Sequence, residues 1–155
     1  MKSERNKQRP KGERTRSHRP SSLPARKTAT VLIVDDDPSA LPALSRLVRA
    51  AGFRVRAFDR PSALLTASDV PKARACMIVD LYLPEMNGIE LCRLLTESGR
   101  GLPAVLITGR NDAETKLLME QAHPVAMLFK PIDERALMEA LDRALAAAEQ
   151  EQGHR

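Results

Sequence analysis

The chain has 155 residues, of which 43% are hydrophobic and only 3% aromatic, so it can form one domain with an aliphatic core. No stretch reaches the roughly 18 to 20 consecutive apolar residues of a membrane-spanning helix, and we expect a soluble, cytoplasmic protein. Cys76 and Cys92 fall in a predicted strand and a predicted helix, which favours reduced core residues over a disulfide or a metal pair.

The net charge of +5 is distributed unevenly along the chain. Residues 1–28 contain ten Lys or Arg and two Glu, a net charge of +8, which leaves −3 for the rest. This segment has three prolines and almost no large apolar side chains, so we predict a disordered basic tail. Such a tail serves as a solubilising leader or makes weak contact with a polyanion, namely nucleic acid, an anionic membrane surface or an acidic protein. Its lack of aromatic residues argues against single-strand base stacking.

From residue 29 onward, predicted strands and helices alternate. Each strand is a short apolar run, and the helices show apolar residues at spacings of three or four. The strands are predicted at 31–34, 53–57, 75–79, 104–107 and 125–129, and the helices at about 38–51, 62–67, 89–98, 111–122 and from 133 onward. The alternation predicts an α/β domain at 29–148, with a parallel sheet covered by helices on both faces, and a short C-terminal tail at 149–155.

Two of these elements carry more detailed predictions. The strand at 53–57 alternates apolar residues with two arginines, the pattern of a half-exposed strand at a sheet edge. Asn111 with Glu114 resembles a capping box that opens the following helix, and Leu117 and Leu118 are predicted to point inward.

Polar side chains follow the predicted strands at the points where they end. Three aspartates at 35–37 follow the first strand, Asp80 follows the third, Thr108 the fourth and Lys130 the fifth. In a parallel sheet these positions meet at one edge, where clustered carboxylates repel one another unless a cation lies among them. Lysine and threonine can bind phosphoryl oxygens, and an uncommitted carboxylate can attack phosphorus. The set therefore predicts Mg²⁺-assisted phosphoryl transfer to an aspartate.

The chain from about residue 29 to 148 resembles the receiver domain of bacterial two-component response regulators. The matching pieces are VLIVDDD at 31–37, IVDLYLPEMNG at 78–88, LITG at 106–109 and FKP at 129–131. They span most of the domain in the right order. The resemblance implies a flavodoxin-like, doubly wound sheet of five parallel strands in the order 2-1-3-4-5.

The resemblance also implies roles for the acidic residues. Asp80 resembles the phosphoacceptor, and Asp35 with Asp36 resembles the acidic pair that helps to hold Mg²⁺. The implied metal ligands are thus these three aspartates and the backbone carbonyl of Tyr82. The pair directly after the apolar strand is the match, so Asp37 is predicted to cap the following helix.

The later motifs have implied roles as well. Thr108 resembles the residue whose hydroxyl moves with the phosphoryl group. Lys130 resembles the phosphate-contacting lysine, and Gly109 leaves space beside the phosphoryl oxygens. The family commonly has Tyr or Phe three residues before the lysine, as a rotameric switch, and this chain has Met127 there. We predict that Phe129 lies in the wrong alternation to replace that ring, which argues against signalling by a ring that swings inward.

The resemblance implies a phosphorylation switch rather than an enzyme, with a sensor histidine kinase or a histidine phosphotransfer protein as phosphodonor. Since only residues 149–155 follow the last helix, we expect no DNA-binding output domain and signalling through an unknown downstream protein. Two alternatives compete. An aspartyl-nucleophile phosphohydrolase is disfavoured because little chain is left for a substrate-recognition cap. A binding module that has lost phosphorylation is disfavoured because every site residue is present.

Overall fold

The computed structural model describes residues 26–153. Residues 1–25, most of the predicted basic tail, and residues 154–155 lie outside the described part. The strands are β1 (Thr30–Val34), β2 (Arg54–Phe58), β3 (Ala75–Asp80), β4 (Ala104–Thr108) and β5 (Ala126–Phe129), and the helices are α1 (Ala40–Ala50), α2 (Pro61–Leu65), α3 (Gly88–Glu97), α4 (Ala113–Gln121) and α5 (Glu134–Gln152). No helix among these residues is long and apolar enough to cross a membrane.

The five strands form one parallel sheet in the order β2-β1-β3-β4-β5. This confirms the predicted fold class and the edge position of β2. The register pairs Val34 with Val79 and Thr108 with Phe129, so the carboxyl ends of the strands are aligned. β1 and β3 are buried along their whole length in the middle of the sheet, which explains why both are continuous apolar runs.

The core has two layers, one on each face of the sheet. Alternate residues of β1, for example Ile33 and Leu32, face opposite layers. The first layer packs β1, β3 and β4 against α1 and α5, through side chains that include Val48, Leu137 and Leu141. The second packs the other sheet face against α2, α3 and α4, through Leu64, Leu91, Leu95 and Met119. Cys76 is buried in the first layer and Cys92 packs against the second, both as free thiols.

The start of α4 differs from the prediction. Asp112, not Asn111, is the N-cap, and its Oδ1 accepts a hydrogen bond from the Thr115 N–H at 2.8 Å. Each residue turns a helix by about 100°, so a cap one position later changes which side chains point inward. Thr115 and Met119 are buried, whereas Leu117 is 55% exposed. The predicted capping box and the inward orientation of Leu117 are therefore wrong.

The prediction for Phe129 is also wrong. Residues two apart in a strand lie on the same face, so Phe129 shares a face of β5 with Met127. The two side chains are 37% and 39% exposed, while Ala126 and Leu128 pack against the layer formed with α1 and α5. Met127 and Phe129 thus form an exposed apolar pair on β5.

Candidate functional site

Three carboxylates gather at the carboxyl edge of the sheet. Asp35 follows β1 directly and is fully buried, Asp80 ends β3 and is buried, and Asp36 is exposed. One carboxylate oxygen from each lies within 4.8 Å of the other two. The aligned ends of β1 and β3 produce this cluster, since the last residue of β1, Val34, pairs with the residue before Asp80. Carboxylates this close repel one another in the absence of positive charge.

Lys130 supplies one positive charge to the cluster. Its Nζ donates hydrogen bonds to Asp35 Oδ2 at 2.8 Å and to Asp80 Oδ2 at 3.0 Å. Its backbone N–H donates to the Thr108 carbonyl at 2.8 Å, which fixes the residue just beyond β5 against the end of β4. With three carboxylates and one ammonium, the cluster keeps an excess of negative charge.

The second oxygen of each buried carboxylate accepts a hydrogen bond from a backbone N–H. The Tyr82 N–H donates to Asp80 Oδ1 at 3.1 Å, and the Asp37 N–H donates to Asp35 Oδ1 at 3.0 Å. Each carboxylate is therefore fixed between Lys130 and the backbone two residues further on. Asp37 Oδ1 accepts hydrogen bonds from the N–H groups of Ser39 at 2.8 Å and of Ala40, the first residue of α1, at 3.2 Å. The side chain thus caps the start of α1 as predicted, although the N-cap position is Ser39.

Burial dominates the electrostatics of the site. It raises the pKa of Asp80 above its usual value; the hydrogen bond and charge of Lys130 offset this only in part, and the Asp35 carboxylate adds to the rise. Burial alone lowers the pKa of Lys130, but its hydrogen bonds to Asp35 and Asp80 outweigh burial, and its pKa is raised. The lysine is thus a firmly charged ammonium beside the Asp80 carboxylate.

Thr108 and Gly109 lie at the same edge, at the end of β4. Thr108 is fully buried, and its Oγ1 accepts a hydrogen bond from the Arg110 N–H at 3.1 Å. Its hydroxyl proton has no acceptor among residues 26–153, so the hydroxyl can donate to a ligand. A Cβ built on Gly109 meets no atom within 4 Å, which leaves open space beside Thr108.

Gly88 supports the site in a way that its turn motif alone does not indicate. A Cβ at this position would lie 2.5 Å from the Asp80 carbonyl oxygen and 2.9 Å from Val79 Cγ1. The Gly88 N–H donates to the Leu81 carbonyl at 2.8 Å, so the loop after β3 folds back onto the strand. Only glycine permits this approach of the start of α3 to the residue at the centre of the site.

The side chain of Tyr82 is a feature that sequence reasoning missed. Its hydroxyl lies 2.6 Å from Thr115 Oγ1, and the Arg110 guanidinium lies 4.3 Å from its ring centroid. Tyr82 is the only tyrosine in the chain, but no sequence signal connects it with a threonine 33 residues later. The sequence indicated a role only for its backbone carbonyl, which belongs to the same loop.

The family model for the response regulator receiver domain matches residues 31–142. The chain belongs to the response regulator receiver family. Response regulator protein TmoT of Ectopseudomonas mendocina is 37% identical over 124 residues, which cover 79% of this chain and 56% of TmoT. The solved structure of response regulator StyR matches with a TM-score of 0.72 at 37% identity, over 81% of this chain and 64% of that one. The structure of FixJ-N matches with a TM-score of 0.68 at 31% identity, over 76% and 94%.

Membership of this receiver family gives the general function. Receiver domains act as phosphorylation switches rather than as enzymes, and they take phosphoryl groups from histidine kinases or phosphotransfer proteins. They bind Mg²⁺ through an acidic pocket, and this receiver has its aspartate cluster at the carboxyl edge of the sheet. The chain spans about half the length of TmoT, 56%, so what the whole of that protein does comes to this receiver only as a proposal.

Proposed function

We propose that this receiver is switched by phosphorylation of Asp80. The observation that carries the proposal is the position of the Asp80 carboxylate, which is held between the Lys130 ammonium and the Tyr82 N–H beside Asp35 and Asp36. A carboxylate fixed in this way is oriented for attack on phosphorus. The adjacent ammonium can neutralise negative charge on the incoming phosphoryl group.

In the reaction, a phosphoryl group moves from the donor to an oxygen of Asp80. One Asp80 oxygen forms a P–O bond as the bond from phosphorus to the donor breaks, a P–N bond in a phosphohistidine, and the bonding electron pair leaves with the donor. Lys130 pairs with one phosphoryl oxygen, and the Thr108 hydroxyl donates to another. The space beside Gly109 admits these oxygens without a clash.

The acidic residues fit a resident Mg²⁺. Carboxylate and carbonyl oxygens are the ligands that this ion prefers, and one ammonium does not neutralise three carboxylates. Asp35, Asp36 and Asp80, with the Tyr82 carbonyl, are the residues that would hold it. A Mg²⁺ ion held by these residues would offset the negative charge of the phosphoryl oxygens.

The partners follow from the same chemistry. The phosphodonor is a sensor histidine kinase or a histidine phosphotransfer protein in the cytoplasm, and the phosphorylated domain signals by contact with a downstream protein. The functional unit is the domain at 29–148. The basic segment at 1–28 adds a weak, salt-sensitive contact with a polyanion, because its charge of +8 is not matched by acidic residues nearby in sequence.

Intact-mass measurement with acetyl phosphate and Mg²⁺ tests the proposal. We expect the wild-type chain to gain one phosphoryl group and Asp80→Asn to gain none. Asp69→Asn is the matched control, because Asp69 is an exposed carboxylate paired with Arg56, and we expect it to be labelled like the wild type. Equal labelling of wild type and Asp80→Asn would refute the assignment.

A further inference from the structure

The two loops that contribute Asp80 and Thr108 meet just outside the proposed phosphorylation site. The Tyr82 N–H binds Asp80 Oδ1 at 3.1 Å, and the Arg110 N–H binds Thr108 Oγ1 at 3.1 Å. The side chains of these two backbone donors then contact each other, with the Arg110 guanidinium 4.3 Å from the Tyr82 ring centroid. The Tyr82–Arg110 pair is therefore bonded to both residues that a phosphoryl group would engage.

The same pair is attached to the first turn of α4. The Tyr82 hydroxyl lies 2.6 Å from Oγ1 of Thr115, which is fully buried. Arg110 forms an ion pair at 2.8 Å with Asp112, the N-cap of α4, whose other oxygen binds the Thr115 N–H. Tyr82 thus reaches α4 directly through its hydroxyl and indirectly through Arg110 and Asp112.

α4 has few other attachments to the rest of the domain. Of its nine residues only Thr115 and Met119 are buried, and Leu117 points to solvent. α3, a helix of similar length, buries the two leucines Leu91 and Leu95, whereas Met119 is the one apolar side chain that α4 buries fully. Because α4 buries so little apolar surface, a single side-chain hydrogen bond forms a large share of what holds its first turn.

We propose that Tyr82 is a positioning residue whose side chain carries the state of Asp80 to α4. The inference rests on the proposed phosphorylation of Asp80. Phosphorylation converts the carboxylate into an acyl phosphate, in which the negative charge lies on the phosphoryl oxygens and the other Asp80 oxygen becomes a neutral carbonyl, so the Tyr82 N–H loses a charge-assisted acceptor. A phosphoryl group also draws on the Thr108 hydroxyl, the acceptor of the Arg110 N–H. Both changes displace the Tyr82–Arg110 pair and with it the first turn of α4.

This route needs no aromatic residue on β5. Met127 occupies the position where the family commonly has Tyr or Phe, and its side chain is 39% exposed. Coupling between two sites is reciprocal, so loss of the Tyr82–Thr115 bond must also change how strongly the phosphorylated state of Asp80 is favoured. Tyr82 therefore links the orientation of Asp80 with the conformation of α4.

Hydrogen exchange of residues 113–121, measured with and without acetyl phosphate and Mg²⁺, tests the role of Tyr82. In Tyr82→Phe, which keeps the ring, we expect α4 to exchange roughly two- to tenfold faster before phosphorylation, as for the loss of one hydrogen bond. The further change on adding the phosphodonor should be smaller than in the wild type. Thr115→Val should give the same result, and the double variant should exchange no faster than either single variant.

Two further variants serve as controls for the exchange experiment. Thr115→Ser keeps the hydroxyl, and we expect it to restore the wild-type response. Thr66→Val removes a threonine hydrogen bond at the end of α2, from Oγ1 to the Ser62 carbonyl at 2.8 Å, and should leave α4 unchanged.

Intact mass measured on the same samples separates the two hypotheses. A wild-type chain that gains no phosphoryl group refutes phosphorylation of Asp80 itself. If the wild type and Tyr82→Phe are both labelled and their α4 exchange responds equally, phosphorylation stands and the role of Tyr82 is refuted. A reduced α4 response in labelled Tyr82→Phe and in labelled Thr115→Val supports the inference.

Discussion

The Lys130 ammonium lies 2.8 Å from Oδ2 of Asp35, a residue 95 positions earlier that is fully buried. Removal of the ammonium leaves buried carboxylates without their shared partner. We therefore expect Lys130→Met to lower the free energy of unfolding by about 1–3 kcal/mol in the absence of Mg²⁺, as measured by urea denaturation. Lys72→Met is the control, because Lys72 is exposed and the change there should stay within about 0.5 kcal/mol. Equal losses in the two variants would contradict this role of Lys130.

Asp36 should matter for the metal and not for the fold. It is exposed and lies close to two other carboxylates, so its replacement removes repulsion without leaving an unpaired buried group. Calorimetric titration should show weaker Mg²⁺ binding in Asp36→Ala, while the melting temperature of the metal-free protein stays equal or rises. Asp69→Ala should bind Mg²⁺ like the wild type. An unchanged Mg²⁺ affinity in Asp36→Ala would remove Asp36 from the ligand set.

Gly88 and Gly109 offer a matched pair of glycine substitutions near Asp80. Gly88→Ala places a Cβ 2.5 Å from the Asp80 carbonyl oxygen, and we expect a loss of about 1–3 kcal/mol in unfolding free energy through overpacking. Gly109→Ala meets no atom within 4 Å, so the change should be less than about 0.5 kcal/mol. Urea denaturation of both variants measures the difference, and similar stabilities would show that α3 moves freely away from β3.

The two thiols should be protected by burial. Burial raises the pKa of Cys76 to about 12 and that of Cys92 to about 11, so little thiolate exists near pH 8. We expect native protein to react with iodoacetamide far more slowly than protein in urea, with Cys76 the slower of the two. Peptide mapping after timed alkylation measures both rates. Native labelling as fast as in urea would contradict the burial of these residues.

The basic tail should bind polyanions independently of phosphorylation. Residues 1–25 contain eight Lys or Arg and two Glu, whereas Arg26 belongs to the folded domain through its ion pair with Asp142 at 3.0 Å. Deletion of residues 1–25 should leave labelling by acetyl phosphate intact and reduce salt-sensitive binding to duplex DNA or anionic vesicles. Fluorescence anisotropy and vesicle sedimentation measure the association. If neither protein binds at about 0.1 M salt, where screening acts over about 10 Å, the tail is only a solubilising leader.

The sequence was sufficient for the sheet and for the gathering of the aspartates. Apolar runs that end in a charge mark buried parallel strands, and the aligned carboxyl ends of such strands bring Asp35 and Asp80 together whatever the detailed packing. The family motifs then suggested a function for the cluster. These features depend on strand order and strand ends, which short-range patterns encode well.

The contacts around α4 depend on details that such patterns leave open. Asn111 and Asp112 are equally good caps, and the choice between them decides whether Leu117 points in or out. The Tyr82–Thr115 bond joins residues on different elements, and no local periodicity encodes it. The placement of Phe129, in contrast, follows from the two-residue period of a strand, which puts it on the same face of β5 as Met127.

Arg26 fixes where the basic tail joins the domain. Its guanidinium lies 5.3 Å from the Phe53 ring centroid and donates to the Ala51 carbonyl at 3.5 Å, beside the amino-terminal ends of β1 and β2. Asp80 lies at the opposite ends of the strands, a strand length of about 17–20 Å away. The first described residue of the domain therefore lies at the end of the sheet opposite to the proposed phosphorylation site. If the basic segment binds a polyanion as proposed, the receiver becomes a tethered module that is attached at the end of the sheet away from Asp80, and its local concentration near the polyanion rises.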